Sequence, residues 1–152
     1  MKIVSHRGNM NGRNPEHENH PLFIQTAIDD GYDVEVDVWY VEGQFYLGHD
    51  CPQYQICGTW LKELQDVLWC HAKNPDAFEK MLAIGLHCFW HETDRYTMTS
   101  RGIPWCYPDN YINGGITVIK ESSADHPLPA DVLGICTDYP IKWRTGSHGD
   151  HP

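Results

Sequence analysis

The sequence predicts an α/β fold, a reduced (β/α) TIM-type barrel with several outer helices missing. Three observations carry that expectation. Strand-like and helix-like runs alternate along the chain, and roughly eight strand candidates are enough to close a ring. The length, 152 residues, falls short of the roughly 200 or more that such barrels usually take, so some crossover helices must be absent. Gaps of only about ten residues after Val38, Trp90 and Tyr107 mark where, because a complete strand–helix–strand connection needs at least about 10 to 12. Three or four proper helices are expected. Bare walls would expose apolar surface, which a homodimer would cover.

Lys2 to Ser5 is short and β-branched and precedes a Gly/Asn-rich run from Gly8 to Asn14, which reads as a strand and then a loop. Between Glu18 and Asp30 the apolar Leu22, Phe23, Ala27 and Ile28 recur at helical spacing, and Gly31 stops the helix. Val34-Glu35-Val36-Asp37-Val38 alternates with period two, so valines face one side and carboxylates the other. Gln44 to Gly48 follows a Glu42-Gly43 turn as the next strand. Thr59 is expected to cap a short helix with Leu61 and Leu64. Val67 to Lys73 is a strand, and Asn74-Pro75-Asp76 opens a helix running to about Gly85. Further strands are expected at Leu86–Trp90, Tyr96–Thr99, Trp105–Tyr107, Ile116–Ile119 and Gly134–Thr137, with a loop from Glu121 to Ala130.

One domain over residues 1–144 and a polar tail over 145–152 account for this length. Eleven Lys+Arg against 21 Asp+Glu leave a net charge of −10, which argues against a nucleic-acid partner read through phosphate charge. No apolar run has the roughly 18 residues of a membrane span, no signal-type segment opens the chain, and no basic amphipathic helix suits an anionic bilayer. A cytoplasmic protein without a membrane partner is expected. Cys70, Cys88, Cys106 and Cys136 lie in apolar runs and are expected as free core thiols, not zinc ligands or bridges.

Polar side chains recur where the predicted strands end: His6-Arg7, Glu35 and Asp37, His49-Asp50, His71 and Lys73, and His91-Glu92. Each alone fits a solvated strand end. In a parallel barrel those ends converge on one face, where active sites lie. The i, i+3 pair His17 and His20 is expected as solvent-exposed residues at a helix start, since two ligands without a third make a weak metal site. Trp105 and Tyr107 are core candidates that would also serve as a pocket wall.

The order of these motifs resembles the glycerophosphodiester phosphodiesterase family, within the phosphatidylinositol-specific phospholipase C-like phosphodiesterase superfamily. His6-Arg7-Gly8 resembles the family's opening H-R-G, Glu18-Asn19 its E-N-[TS], and Val34 to Val38 its hydrophobic E-x-D strand. Leu47-Gly48-His49-Asp50 matches its H-D ending, His71-Ala72-Lys73 stands where the family has E-x-K, and Gly134 to Pro140 resembles its G-x-x-T-D-x-P. Two departures stand out. Only Cys51 to Gln65 fills the interval where members carry a sizeable insertion shaping the substrate pocket, and His71 replaces a carboxylate.

The resemblance implies a phosphoric diester hydrolase acting on glycerophosphodiester-like small molecules. His6 and His49 would be the catalytic general acid and base, with which is which left open. Arg7, Lys73 and Glu18 would bind substrate, and Glu35, Asp37 and His71 would hold one divalent metal ion. Mg²⁺ or Ca²⁺ follows from the family, while an imidazole among two carboxylates leans toward Mn²⁺, Zn²⁺ or Fe²⁺. Glu92 is a second source for the carboxylate that His71 lacks. Such an ion would stabilise charge at phosphorus, and Arg7 and Lys73 would add fixed positive charge. Attack by water and attack by a neighbouring hydroxyl, giving a cyclic phosphate, both fit. The rival from another class is a non-catalytic barrel that binds phosphate esters or a metal as a sensor. A purely structural protein would have no use for such a cluster.

Overall fold

A computed structural model describes residues 1–145. The elements run β1 (Lys2–His6), α1 (Pro21–Asp29), β2 (Asp33–Val41), β3 (Gln44–Leu47), β4 (Tyr54–Ile56), α2 (Gly58–Glu63) and β5 (Leu68–Ala72). They continue with α3 (Pro75–Ala83), β6 (Cys88–Trp90), β7 (Tyr96–Met98), β8 (Pro104–Cys106), β9 (Ile116–Ile119), β10 (Gly134–Thr137) and α4 (Pro140–Thr145).

The expected TIM-type barrel is corrected by this arrangement, which is a mixed sheet of ten strands with four short helices. Strands β6, β5, β2, β1, β10, β9 and β8 run parallel in that order. Hairpins then add antiparallel strands: β3 to β2, β4 to β3, and β7 to β8. The reason is local. Glu42 and Gly43 both have positive φ, at 50° and 79°, the two-residue turn that joins antiparallel neighbours, whereas a parallel crossover needs a dozen residues or more. The run ending in His49 is therefore the return arm of a hairpin. Among the described residues no strand ladder joins β6 to β7. Isolated bonds bridge that gap instead, among them Ser100 N–H to the Cys88 carbonyl at 2.8 Å, Cys88 N–H to the Ser100 hydroxyl at 2.9 Å and the Thr97 hydroxyl to the Trp90 carbonyl at 2.9 Å.

Period-two alternation sends different residues to the two faces of the sheet. Outside, Val34, Val36 and Val38 pack with Ile24, Ala77 and Met81 from α1 and α3. Ile119 and Ile135 pack beneath Trp143 of α4. Inside, Val4, Trp69, Phe89, Trp105, Ile116 and Cys136 form a separate apolar layer. Trp105 of β8 stacks on Phe89 of β6 at 4.6 Å between ring centroids, so the two ends of the sheet face one another. The four expected core thiols are buried, and all six cysteines are free.

Asn74 caps α3 by accepting from the Ala77 N–H, as expected. Thr59 does not cap α2; Cys57 holds that position without a side-chain bond. His20 caps α1, its Nδ1 accepting from the Leu22 N–H at 3.1 Å, and His17 is exposed beside Asn14. Glu18 and Asn19, expected to begin that helix, lie in a turn instead, and the helix starts at Pro21. Thr145, assigned to the tail, ends α4, while residues 146–152 of that tail lie outside the described residues. No helix among the described residues is long and apolar enough to cross a membrane.

At the N-terminal edge of the parallel strands, His87 is buried against Trp69 and bonded through Nε2 to the Thr99 hydroxyl at 2.7 Å. Burial, with help from the Arg101 charge, pushes its pKa down to about 4. The unfolded chain, near 6.5, binds a proton that the folded chain refuses, so stability falls as pH drops from about 6.5 to 4 and levels off below. The expected loss is on the order of 3 kcal/mol. Urea unfolding at pH 7 and pH 4 should show a smaller loss in His87→Gln, which keeps the bond to Thr99 and cannot titrate. An equal loss in both would overturn this account.

Candidate active site

The C-terminal ends of the parallel strands carry a cavity of about 500 Å³ lined by His6, Arg7, Glu35, His49, His71 and Lys73, among others. These come from β1, β2, the loop after β3, and β5. Glu35 and Asp37 share a face of β2 by the two-residue repeat, and the register sets Glu35 beside His6 and Asp37 beside His71.

Asp37 is the buried hub. Its Oδ2 accepts from Asn19 Nδ2 at 2.9 Å and lies 3.1 Å from Arg7 Nε, an ion pair without hydrogen-bond alignment. The Asp37 N–H donates to Asn19 Oδ1 at 3.0 Å. Its other oxygen, Oδ1, faces His71 Nδ1 at 3.3 Å, and Glu35 Oε2 lies 3.6 Å from the same nitrogen. Burial opposes ionisation of Asp37, yet the bond to His71 and the Arg7 charge hold its carboxyl well below the ordinary range. Burial likewise lowers the His71 pKa, but its bonds to Asp37 and Glu35 outweigh that and raise it to about 9.

His71 Nε2 lies 2.7 Å from the backbone carbonyl of His91, to which it donates. In the neutral ring that bond places the proton on Nε2 and leaves Nδ1 as the ligand atom, the outer support that metal-bound imidazoles usually have. Donor atoms of Glu35, Asp37 and His71 all lie within 4.8 Å of one another. Glu35 Oε1 is buried without a hydrogen-bond partner. An anionic, converging and incompletely satisfied donor set of this kind fits a divalent cation.

His6 Nδ1 donates to Asp138 Oδ1 at 2.8 Å, which leaves Nε2 facing Glu35 Oε1 at 3.8 Å on the cavity side. Burial lowers its pKa, and the Asp138 bond and Glu35 charge overcome this to give a net rise. Asp138 is held low by the same bond and by Asn9, whose Nδ2 donates to it at 2.9 Å. His49 also lines the cavity but is 38% exposed, and its Nδ1 pairs with the solvent-facing Asp50 at 2.7 Å. Gly48 delivers it: at φ 154° a Cβ there would overlap the Cys51 carbonyl oxygen, so only glycine allows the chain to turn so tightly before His49.

Glu18, expected to bind substrate, is buried behind Arg7. It accepts from Arg7 Nη1 at 3.2 Å and from Asn9, and does not line the cavity. Arg7 and Asn19 both adopt left-handed backbone, at φ 59° and 68°, and the Asn19 N–H donates to the Arg7 carbonyl at 2.9 Å. Two strained residues thus brace each other at the site. Glu92 is exposed on the cavity rim, and Trp105 and Tyr107 serve both as packing and as wall. Asp138, Asn19 as a brace, and Lys120 on the rim were not singled out from the sequence as site residues. Asp138 and Asn19 lie within the quoted motifs, whereas Lys120 carries no local signal.

Compared with known proteins, the chain matches no protein-family model, no curated protein and no solved structure.

Proposed function

We propose that this chain is a metal-dependent phosphodiester hydrolase acting on glycerophosphodiester-like small molecules, akin to the family its motifs resemble. The observation that carries the reading is one cavity lined by an acid–base histidine with a half-buried carboxylate behind it, a three-residue cation-binding set, and two cationic side chains. Glu35, Asp37 and His71 would hold the ion, which when bound would polarise a phosphoryl oxygen. Arg7 and Lys73 would neutralise the phosphate, supplying positive charge on a chain of net charge −10. His6, oriented by Asp138, offers Nε2 to take or give a proton, and His49 is its counterpart on the opposite arm. A cytoplasmic setting accords with free thiols, two of them exposed.

A second reading, a phosphate-ester binder without turnover, draws on His71. With its pKa raised to about 9, the metal-free protein at neutral pH already carries a positive charge between Glu35 and Asp37.

Hydrolysis of bis(p-nitrophenyl) phosphate and glycerophosphocholine by chelator-stripped protein, resupplied with Mg²⁺, Ca²⁺, Mn²⁺ or Zn²⁺, tests both. Turnover that requires a metal and vanishes in the His6→Ala/His49→Ala double variant is expected. Ester binding with no product from any metal would favour the binder, and no binding of metal or ester would sink both.

A further inference from the structure

On the wall of the same cavity, His91 follows β6. It is 6% exposed, and neither ring nitrogen has a hydrogen-bond partner. Buried polar groups in folded proteins are nearly always paired, so an imidazole with both nitrogens unpaired requires an explanation. Its neighbours supply none. Tyr107 packs edge-on, 4.0 Å between centroids, but commits its hydroxyl to the Glu92 carbonyl. His71, at 6.4 Å, uses its Nε2 on the backbone carbonyl of His91. The two nitrogens are also covered from solvent. No hydrogen bond resists a turn of the ring toward the cavity.

A neutral imidazole has one donor and one acceptor nitrogen, the complement of a hydroxyl group, which donates and accepts. It carries no charge with which to bind phosphate, and the cations for that purpose, Arg7 and Lys73, line the cavity already. We propose that His91 hydrogen-bonds a hydroxyl on the alcohol part of the bound ester, and so makes the site selective for polyol phosphate esters over simple alkyl ones. The inference rests on the phosphodiester reading above and adds a specificity-determining residue to it. A site with a buried polar group left unpaired by the wrong ligand rejects that ligand strongly, whereas an apolar wall discriminates hydroxylated from plain chains only weakly.

The test is the ratio of dissociation constants for n-propyl phosphate and sn-glycerol 3-phosphate, measured by calorimetry on the metal-loaded chain. The unmodified protein should prefer glycerol phosphate by roughly tenfold or more. His91→Phe should bring the ratio to within about twofold of unity by weakening glycerol phosphate alone, and His91→Gln, which keeps a donor and an acceptor, should retain a preference. A ratio unchanged in His91→Phe, or near one in the unmodified chain, overturns the role of His91 and leaves the phosphate site standing. Binding of neither phosphate overturns the site reading and this inference together. Ring ¹⁵N resonances of His91 in the unmodified chain give a check that needs no variant to fold. They should move with glycerol phosphate and not with propyl phosphate, and immobility with both overturns the proposal.

Discussion

His6→Ala is expected to lower turnover of phosphodiesters by about 10²- to 10⁴-fold, the range that a positioned general acid or base contributes. The argument is geometric. Asp138 accepts a hydrogen bond from the His6 Nδ1–H at 2.8 Å and thereby turns Nε2 to the cavity. His49, the other histidine proposed for proton transfer, pairs instead with Asp50, which is open to solvent. Metal affinity should change little, because His6 is not in the donor set. Asp138→Asn separates orientation from chemistry: the ring remains, its charged partner does not, and the fall in turnover should be smaller than in His6→Ala. Steady-state kinetics beside metal titration of each variant checks this. Turnover within tenfold of the unmodified chain in His6→Ala would remove His6 from the mechanism.

The second large effect is on folding. Asp37→Ala should destabilise the metal-free chain by about 3–5 kcal/mol, because removing one member of a buried ionic cluster leaves its partners charged and unpaired. Arg7 is only 12% exposed and would keep Glu18 alone as a close partner; Asn19 Nδ2 would lose its carboxylate acceptor, while its Oδ1 keeps the backbone N–H of residue 37. Against the roughly 5–15 kcal/mol that holds a typical domain together, that is a large fraction. Asp37 has a folded pKa below its ordinary 3.8. Its stabilising contribution is therefore complete above the unfolded pKa and disappears as pH falls through the folded one. Urea midpoints of wild type and variant should converge in acid. A difference below about 1 kcal/mol at pH 7 would mean that the cluster does not carry the strand in this way.

What could be read in the sequence was what short-range periodicity encodes. The Glu35–Asp37 alternation puts two carboxylates on one face wherever that strand lies. Asn74-Pro75 marks a helix start by its own chemistry. Fold topology was not legible in the same way. Gln44–Leu47 has the composition of a barrel strand, and only the turn before it, which reverses the chain, reveals it as a hairpin arm. Short β4 was hidden in a polar stretch, and α4 behind the charges of Lys142 and Arg144, although Trp143 between them is buried. The His6–Asp138 pair joins residues 132 positions apart, which no local pattern announces. His91 stood at a strand end in the sequence, but its unmet hydrogen-bonding capacity exists only in three dimensions.

The division of the sheet into an outer cluster from β2, β3, β5 and the first three helices, and an inner layer completed by β6, β8, β9 and β10, bears on how such a chain diversifies. His6, Arg7, Glu35, Asp37, His49, His71 and Lys73 all precede residue 74, whereas the opposite wall, from Trp90 to Lys120, is built from a later stretch. Asp138, after β10, ties that strand back to the chemistry. Mutation in that later stretch reshapes what the cavity admits while the proton-transfer and charge-bearing groups keep their supports. The natural place to build a library is therefore the wall around Tyr107, Val118 and Lys120, and lineages of such a protein should drift in ligand preference faster than in reaction type.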